Sequence, residues 1–360
     1  MHAPAYSTSR RQLLTSGLAL ALFPPSPGAA AQAELHFPRD LGSHPDYAIE
    51  WWYITGRLLA GERELGFQLT FFRTRVPATQ GMTSAFAAKQ LIFAHAAVTD
   101  VAGKKLWHDQ RIAREGFGIA QTSQSDTDVK LRDWTLQHTG SNYRAIASSA
   151  DFQIDLTLRE TQQLLLQGDR GLSRKGPDEK QFSLYYSLPQ LQVSGTLRVG
   201  KDSLPVQGTA WLDHEWSQSL LHPLAVGWDW IGMNLLDGSA LTAFRLRDKA
   251  GQAIWDGGSF RTRAMSAKTQ VFARGEVQFV AVQQWASPLT KAIYPVQWIV
   301  QTPLGRYRVK AVIDDQELDS RTSTGAVYWE GLSELLDSTG RLVGRGYLEM
   351  TGYAGAMRFP

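Results

Sequence analysis

The sequence predicts an all-β chain of two antiparallel β-barrels in tandem. Apolar and polar residues alternate with period two almost throughout, turn sequences recur at hairpin spacing, and 360 residues exceed what one small barrel uses. Leu65, Phe67, Leu69 and Phe71 alternate with Gly66, Gln68, Thr70 and Phe72. Phe152, Ile154, Leu156 and Leu158 repeat the pattern, as do Leu191, Val193, Gly195, Leu197 and Val199. Val277, Phe279 and Ala281, then Tyr307, Val309, Ala311 and Ile313, continue it. Ala102-Gly103-Lys104, Asp237-Gly238-Ser239 and Ser338-Thr339-Gly340 supply turns between such runs. Only Ser84 to Gln90 reads as helical. On the order of 16 strands result, and eight per half would close two small barrels, each able to hold one ligand or to fill with side chains.

The N-terminus predicts export. Ser9-Arg10-Arg11-Gln12-Leu13-Leu14 is a basic start with paired arginines, Leu18 to Phe23 is apolar, and Ala31-Gln32-Ala33 is an A-x-A site. Together they predict a twin-arginine signal over 1–33, cleaved after Ala33, and a periplasmic mature chain. The apolar run is too short to span a bilayer. Removing two arginines and no acid leaves bases and acids nearly balanced, and no dense basic run follows, so nucleic acid is not an expected partner. The chain has no cysteine, so burial rather than disulfides must hold it together.

Two halves are expected, 34–204 and 205–360, with the boundary near Gly200-Lys201-Asp202-Ser203. A faint internal echo supports them. Trp51-Trp52-Tyr53-Ile54-Thr55-Gly56 precedes the strand from Leu65 to Phe72 and then Arg73. Trp228-Asp229-Trp230-Ile231-Gly232 precedes a strand from Ala240 to Leu246 that contains Arg245. Gly168 to Lys180, polar and rich in glycine, reads as a long flexible loop.

Chemistry concentrates in Trp211-Leu212-Asp213-His214-Glu215-Trp216 and Trp228-Asp229-Trp230. Strand geometry puts Trp211, Asp213 and Glu215 on one face and His214 with Trp216 on the other, both of the latter expected to look into a cavity. By the same rule Trp228 and Trp230 share a face and Asp229 points away. Glu50 and Trp52 share a face opposite Tyr53 on an N-terminal counterpart. A carboxyl against indoles must be paired or protonated, and a protonated one is a competent proton donor. Indole faces can stabilise a cation. Architecture alone, tryptophans plugging strand ends, is the competing reading. Tyr185-Tyr186 reads as a strand face or as a pair of ligand-facing hydroxyls, and His95 as a satisfied core histidine. Metal-site spacing, a G-x-S-x-G elbow and a phosphate loop are absent from the sequence, so no metal is expected. Asp213-His214-Glu215 would scatter its ligands over two faces.

The chain resembles the carotenoid 1,2-hydratase and AttH-like family of lipocalin-like proteins. The resemblance runs from His44-Pro45 through Glu50-Trp51-Trp52-Tyr53-Ile54-Thr55-Gly56 and Phe93-Ala94-His95 to Gly171-Leu172-Ser173-Arg174-Lys175-Gly176. It continues through Tyr185-Tyr186-Ser187-Leu188-Pro189, Val206-Gln207-Gly208, Trp211 to Ser217 and Trp228-Asp229-Trp230. Tyr328-Trp329-Glu330-Gly331 and Gly346-Tyr347-Leu348-Glu349-Met350-Thr351-Gly352-Tyr353 complete it. The resemblance implies two lipocalin-like barrels and cofactor-free handling of a hydrophobic molecule, a lipid or isoprenoid.

In hydratase members it implies addition of water to an alkene. His214 and Trp216 match the His-x-Trp element, and Asp213, Glu215 and Asp229 are the candidate acids. Glu50, Trp52, Tyr53, Tyr185, Tyr186, Trp211, Trp228 and Trp230 are the candidate ligand contacts. Other members imply a non-enzymatic carrier working beside an inner-membrane ABC exporter. A third reading is a structural envelope protein with filled barrels.

Overall fold

The structure, a computed structural model, describes residues 34–219, 221–263 and 268–357. The expected export signal and its cleavage site lie outside the described residues.

Two antiparallel sheets organise the chain. The first contains β1 (Ile49–Ala60), β2 (Arg63–Arg75), β3 (Gln90–Asp100), β4 (Lys105–Arg114), β5 (Ala120–Thr122), β6 (Asp128–Leu131) and β7 (Trp134–Thr139). It continues with β8 (Asn142–Ser148), β9 (Phe152–Arg159), β10 (Leu165–Leu166), β11 (Leu172–Arg174), β12 (Phe182–Val199) and β13 (Asp202–Ser217). The second contains β14 (Gly227–Leu235), β15 (Ala240–Arg247), β16 (Ala253–Arg261), β17 (Thr269–Phe272) and β18 (Gln278–Ala286). It ends with β19 (Ile293–Thr302), β20 (Gly305–Ala311), β21 (Glu317–Ser320), β22 (Ala326–Leu336) and β23 (Leu342–Met350).

The first sheet runs β4-β3-β2-β1-β13-β12-β9-β8-β7-β6-β5 and the second β17-β16-β15-β14-β23-β22-β20-β19-β18. Each is thus a meander whose first strand hydrogen-bonds to its last. This is the tandem lipocalin-like architecture. Arg111 of the end strand β4 reaches across to β7 and β8, donating to the Ser148 carbonyl at 2.8 Å and covering the Trp134 ring at 4.6 Å. β13 pairs with β1 and β12, so it completes the first barrel, and the chain passes to the second sheet only between Ser217 and Gly227. The polar stretch near 200–207 is a hairpin, not a linker, because β12 turns back on β13 at Gly200.

The internal echo has a physical basis. β1 with β2, and β14 with β15, hold equivalent places in the two sheets. Glu50 lies opposite Arg73 in the first hairpin, and Asp229 opposite Arg245 in the second. Both acids are buried ion pairs at 2.7 Å.

Period-two alternation divides each wall into a side facing the barrel interior and a side facing out. Trp52, Ile54, Phe67, Leu69, Phe71, Leu188, Leu212 and Trp216 fill the first interior. Ile231, Met233, Leu241, Trp298, Trp329 and Leu348 fill the second. A separate cluster of Tyr53, Trp211, Trp230, Phe244, Leu332 and Tyr347 lies between the barrels. The close approach is visible at Gly66, where a Cβ would stand 2.7 Å from Tyr347 Oη and 3.2 Å from Leu332 Cβ.

A bulge between Leu188 and Leu191 turns Gln190 toward the second barrel. There Gln190 Nε2 donates to the carbonyls of Leu235 and Ser239 at 3.0 and 2.9 Å. Ser84 to Gln90 forms no helix. The Ala87 N–H closes a turn on the Ser84 carbonyl, and the chain then enters β3. Part of Gly168 to Lys180 is ordered as β11 against β12, because Leu172 to Arg174 pair with Phe182 to Leu184.

Candidate active site

The described cavity lies between the barrels, not inside either one. Its volume is about 270 Å³. Trp51, Tyr53, Tyr185, Trp228, Trp230 and Phe244 supply aromatic wall, and Asp213, Glu215, Glu330 and Glu349 supply carboxyls. Each comes from the outward face of a strand: β1, β12, β13, β14, β15, β22 or β23. A wall that would be wet in an isolated barrel is apolar here because a second barrel covers it.

The carboxyls differ in partnership. Asp213 accepts from Ser187 Oγ at 2.5 Å and Trp211 Nε1 at 2.7 Å. Burial nevertheless pushes its carboxyl up to about 7. Glu215 is held by Lys175 Nζ at 2.9 Å and by the Ser183 hydroxyl. Lys175 follows β11, is buried, and sits 4.4 Å over the Phe244 ring. Glu349 accepts from Trp228 Nε1 at 2.9 Å, and burial raises it to about 7. Glu330 lies opposite Glu349 in the β22–β23 ladder. Burial first, then the Glu349 charge, raise Glu330 well above the usual carboxylate range. Tyr53 and Tyr328 beside it pull the other way, and its Oε1 finds no well-formed hydrogen-bond partner among the described residues. Two buried carboxyls side by side cannot both be ionised cheaply, so the pair retains a proton near neutral pH.

His95 also lines the cavity. Its Nδ1 is 2.8 Å from Tyr328 Oη and its Nε2 is 2.8 Å from Ser323 Oγ. Burial pushes the imidazole down to about 3, so it is neutral. It is satisfied, as expected of a core histidine, yet it forms part of the cavity wall.

The sequence-predicted residues divide between the two faces of the wall. Asp213, Glu215, Tyr53, Tyr185, Trp228 and Trp230 meet at the cavity. Trp211 stands behind them, its indole N–H on Asp213. Glu50, Trp52, Tyr186, His214 and Trp216 point into the first barrel, and Asp229 into the second. The expectation that His214 and Trp216 look into a cavity is therefore corrected. They lie on the inward face, and that interior is packed.

The inward cluster is a hydrogen-bonded network centred on Glu50, beside which the Trp52 and Trp216 indole N–H groups find no partner among the described residues. Glu50 Oε1 is 2.9 Å from His214 Nε2 and 2.8 Å from His44 Nδ1, while Oε2 accepts from Arg73 Nε and Ser43 Oγ at 2.7 and 2.9 Å. His214 Nδ1 is 3.0 Å from Tyr186 Oη, and its ring stacks on Trp52 at 4.7 Å. Burial lowers His214 to about 4, against the pull of Glu50. His44 stacks on Trp216 at 3.7 Å and reaches Asp40 Oδ1 at 3.1 Å. Burial opposes its charge, but Asp40 and Glu50 hold its proton, and the net shift is upward.

His44, Glu50 and His214 bring three metal-ligand atoms within 4.8 Å of one another, a grouping invisible in a sequence where they stand far apart. Each of those atoms is already hydrogen-bonded, and Arg73 supplies the positive charge that a cation would bring. Asp229 is bound likewise, by Arg245 Nε at 2.7 Å, Arg247 Nε at 3.0 Å and Tyr353 Oη at 2.9 Å.

Glu330, Glu349, Lys175, Trp51 and Phe244 were not singled out from the sequence. The signal for two of them was present. In Tyr328-Trp329-Glu330 and Tyr347-Leu348-Glu349 an aromatic and an acid share a face at period two, as Trp211 and Asp213 do.

The family model described as AttH-like matches residues 28–353. The crystal structure of an AttH-assigned protein from Nitrosomonas europaea is 47% identical, covers 92% of this chain and 100% of that one, and superposes with a TM-score of 0.83. The crystal structure of kievitone hydratase from Nectria haematococca is 14% identical, covers 91% of this chain and 95% of that one, and gives a TM-score of 0.70, a likeness of fold. No curated protein matches the chain.

Proposed function

We propose, for a chain that belongs to the AttH-like family, that the inter-barrel cavity binds a compact apolar molecule and hydrates it at an alkene by acid catalysis. The observation that carries this reading is the buried Glu330–Glu349 pair, facing an aromatic-walled cavity and holding a proton at neutral pH. Glu330 delivers that proton to one alkene carbon. The faces of Trp228, Trp230, Tyr53 and Tyr185 stabilise the cation on the other carbon through their ring quadrupoles. Water adds to the cation, and its surplus proton returns to the carboxylate pair. The sum is alkene plus water to alcohol, with the acid restored. Positioned general acids of this kind contribute about 10²–10⁴-fold. The shared fold with a hydratase supports the reading as analogy.

The volume narrows the substrate. Pockets for drug-sized ligands hold roughly 300–1,000 Å³, and this cavity is at the lower limit. A long isoprenoid would have to extend outward. An adjoining groove of about 300 Å³ shares Ile49, Thr74 and Met357 with the cavity and offers that route.

The groove also favours a second reading. A ligand able to exchange through it is carried unchanged, by a periplasmic protein working beside an ABC exporter. The arginine pair Arg10-Arg11 and the Ala31-Gln32-Ala33 site support export in either case.

The test is incubation of the mature protein with prenyl and aryl alkenes in heavy-oxygen water, with products read by mass spectrometry. Labelled alcohol is expected from the native protein. Glu330→Gln is expected to bind the same alkene, by quenching of tryptophan emission, without product. Binding with no product from any alkene would establish carriage instead.

A further inference from the structure

The loop between β2 and β3 and the turn after β4 form one exposed platform. Phe86 is 75% exposed and Phe117 57% exposed, and Met82, Ile112 and Ile119 are exposed around them. The two phenyl rings stack at 5.6 Å. The Arg114 guanidinium lies 4.1 Å from the Phe117 ring and 5.6 Å from Phe86, and it also donates to the Ala85 carbonyl. Thr79 Oγ1 bonds the Ala88 carbonyl at 2.7 Å and Gln80 Nε2 the Lys89 carbonyl at 2.8 Å, which fixes the longer loop on itself.

Phe117 has a φ of 57°, between Gly116 and Gly118, which are also in positive-φ conformations. An aromatic residue held in the left-handed region is strained, and such strain persists where the surroundings over-determine it. Here the strained turn holds a phenyl ring in solvent, where burial returns nothing.

The surroundings identify the occupant. Residues 75–90 and 112–119 carry Arg75, Lys89 and Arg114 against the single acid Glu115. That acid is already occupied by the Thr122 hydroxyl at 2.9 Å. The platform is also continuous with the cavity mouth, because Thr74, Leu91 and Ile112 at the same strand ends line the cavity. We infer that this platform docks on the surface of a lipid bilayer containing anionic lipid. Phe86 and Phe117 enter the headgroup boundary while Arg75, Lys89 and Arg114 meet phosphate. Aromatic rings below a basic rim match that interface by both polarity and charge. Docking there sets the mouth of an apolar cavity against the phase in which an apolar ligand resides.

The experiment is flotation of the mature protein with vesicles of phosphatidylcholine alone or mixed with phosphatidylglycerol, at low and high salt. Binding to the mixed vesicles is expected to exceed binding to the neutral ones at least about tenfold and to weaken with salt. Phe86→Ser with Phe117→Ser is expected to lower it about tenfold or more with an unchanged melting temperature. Phe86→Ser alone and Arg114→Gln give intermediate losses and serve if the double variant misfolds. Equal flotation of native and substituted proteins, or none with anionic vesicles, overturns the proposal. A native dimer in light scattering that the double variant splits, without vesicle binding, overturns it in favour of self-association.

Discussion

Glu330 and Glu349 are cross-strand partners on the cavity face of β22 and β23, and burial raises both. The pair is the only place among the described residues where two carboxyls in direct register line the cavity. Because burial and the Glu349 charge hold the donor Glu330 protonated, alkene turnover is expected to persist as pH rises through about 7, where Glu349 loses its proton, and to fall only at higher pH. A pH–rate profile checks this. A rate rising through neutrality would contradict the donor role. In Glu349→Gln the decline is expected to move to lower pH, because the Glu349 charge no longer raises Glu330.

Asp213 contributes to stability with a particular sign. Its folded pKa of about 7 lies above the ordinary 3.8, so the folded chain holds a proton that the unfolded chain releases. The contribution is complete below about 4 and is lost as pH rises toward 7. Asp213→Asn is expected to be more stable than the native chain at pH 8, by an amount on the order of 1–3 kcal/mol, and nearly neutral at pH 4. Urea unfolding at the two pH values measures it. The asparagine Oδ1 can still accept from Ser187 and Trp211, so the hydrogen bonds survive the change.

The inward network predicts the reverse. Glu50 is held well below the usual range, although burial opposes its charge, by hydrogen bonds to His214 and His44 and by the Arg73 charge. Its stabilisation is present above its ordinary 4.5 and disappears as pH falls through the depressed folded value. Glu50→Gln leaves Arg73 buried beside an uncharged partner and is expected to cost about 3–5 kcal/mol. His214→Ala opens a void beside Trp52 and removes a donor to Glu50. It is expected to lower the melting temperature while ligand affinity of the surviving folded protein stays within about twofold of native. A large loss of affinity at unchanged stability would return His214 to the binding site.

Gly66 tests the barrel contact. A valine there meets Tyr347 Oη and Leu332 Cβ inside contact distance. Overpacking of this kind costs about 1–3 kcal/mol. Gly66→Val is expected to weaken ligand binding together with stability, since the cavity exists only while the barrels stay seated. Calorimetry of the free and ligand-bound protein separates the two effects.

Much of the fold was legible because a barrel strand announces itself by alternation. Leu65 to Phe72 and Phe152 to Leu158 are strands in β2 and β9, and all three glycine turns close hairpins. Alternation also sorted Asp213 and Glu215 away from His214 and Trp216. It could not say which side was the cavity. Both sides of this wall are apolar, one against its own barrel and one against the other barrel. The usual rule that the inside of a lipocalin-like barrel holds the ligand then pointed inward, where Trp52, Tyr186 and Trp216 leave no room. The helical reading of Ser84 to Gln90 failed because a few small residues between strands satisfy a turn equally well. Lys175 was beyond reach from sequence, since only the pairing of β11 with β12 brings it to Glu215.

Placing the cavity on the outer walls has a consequence for how such a protein can change. Strands β1, β13, β14 and β23 each give alternate residues to a barrel core and to the cavity. A substitution at Tyr53, Asp213, Trp230 or Glu349 alters the cavity wall without touching an interior side chain. The interior packing is therefore insulated from changes in the cavity wall. Relatives can diverge in what they accept while inheriting the same two folded barrels, and selection for a new ligand need not first find a compensating repair to the core.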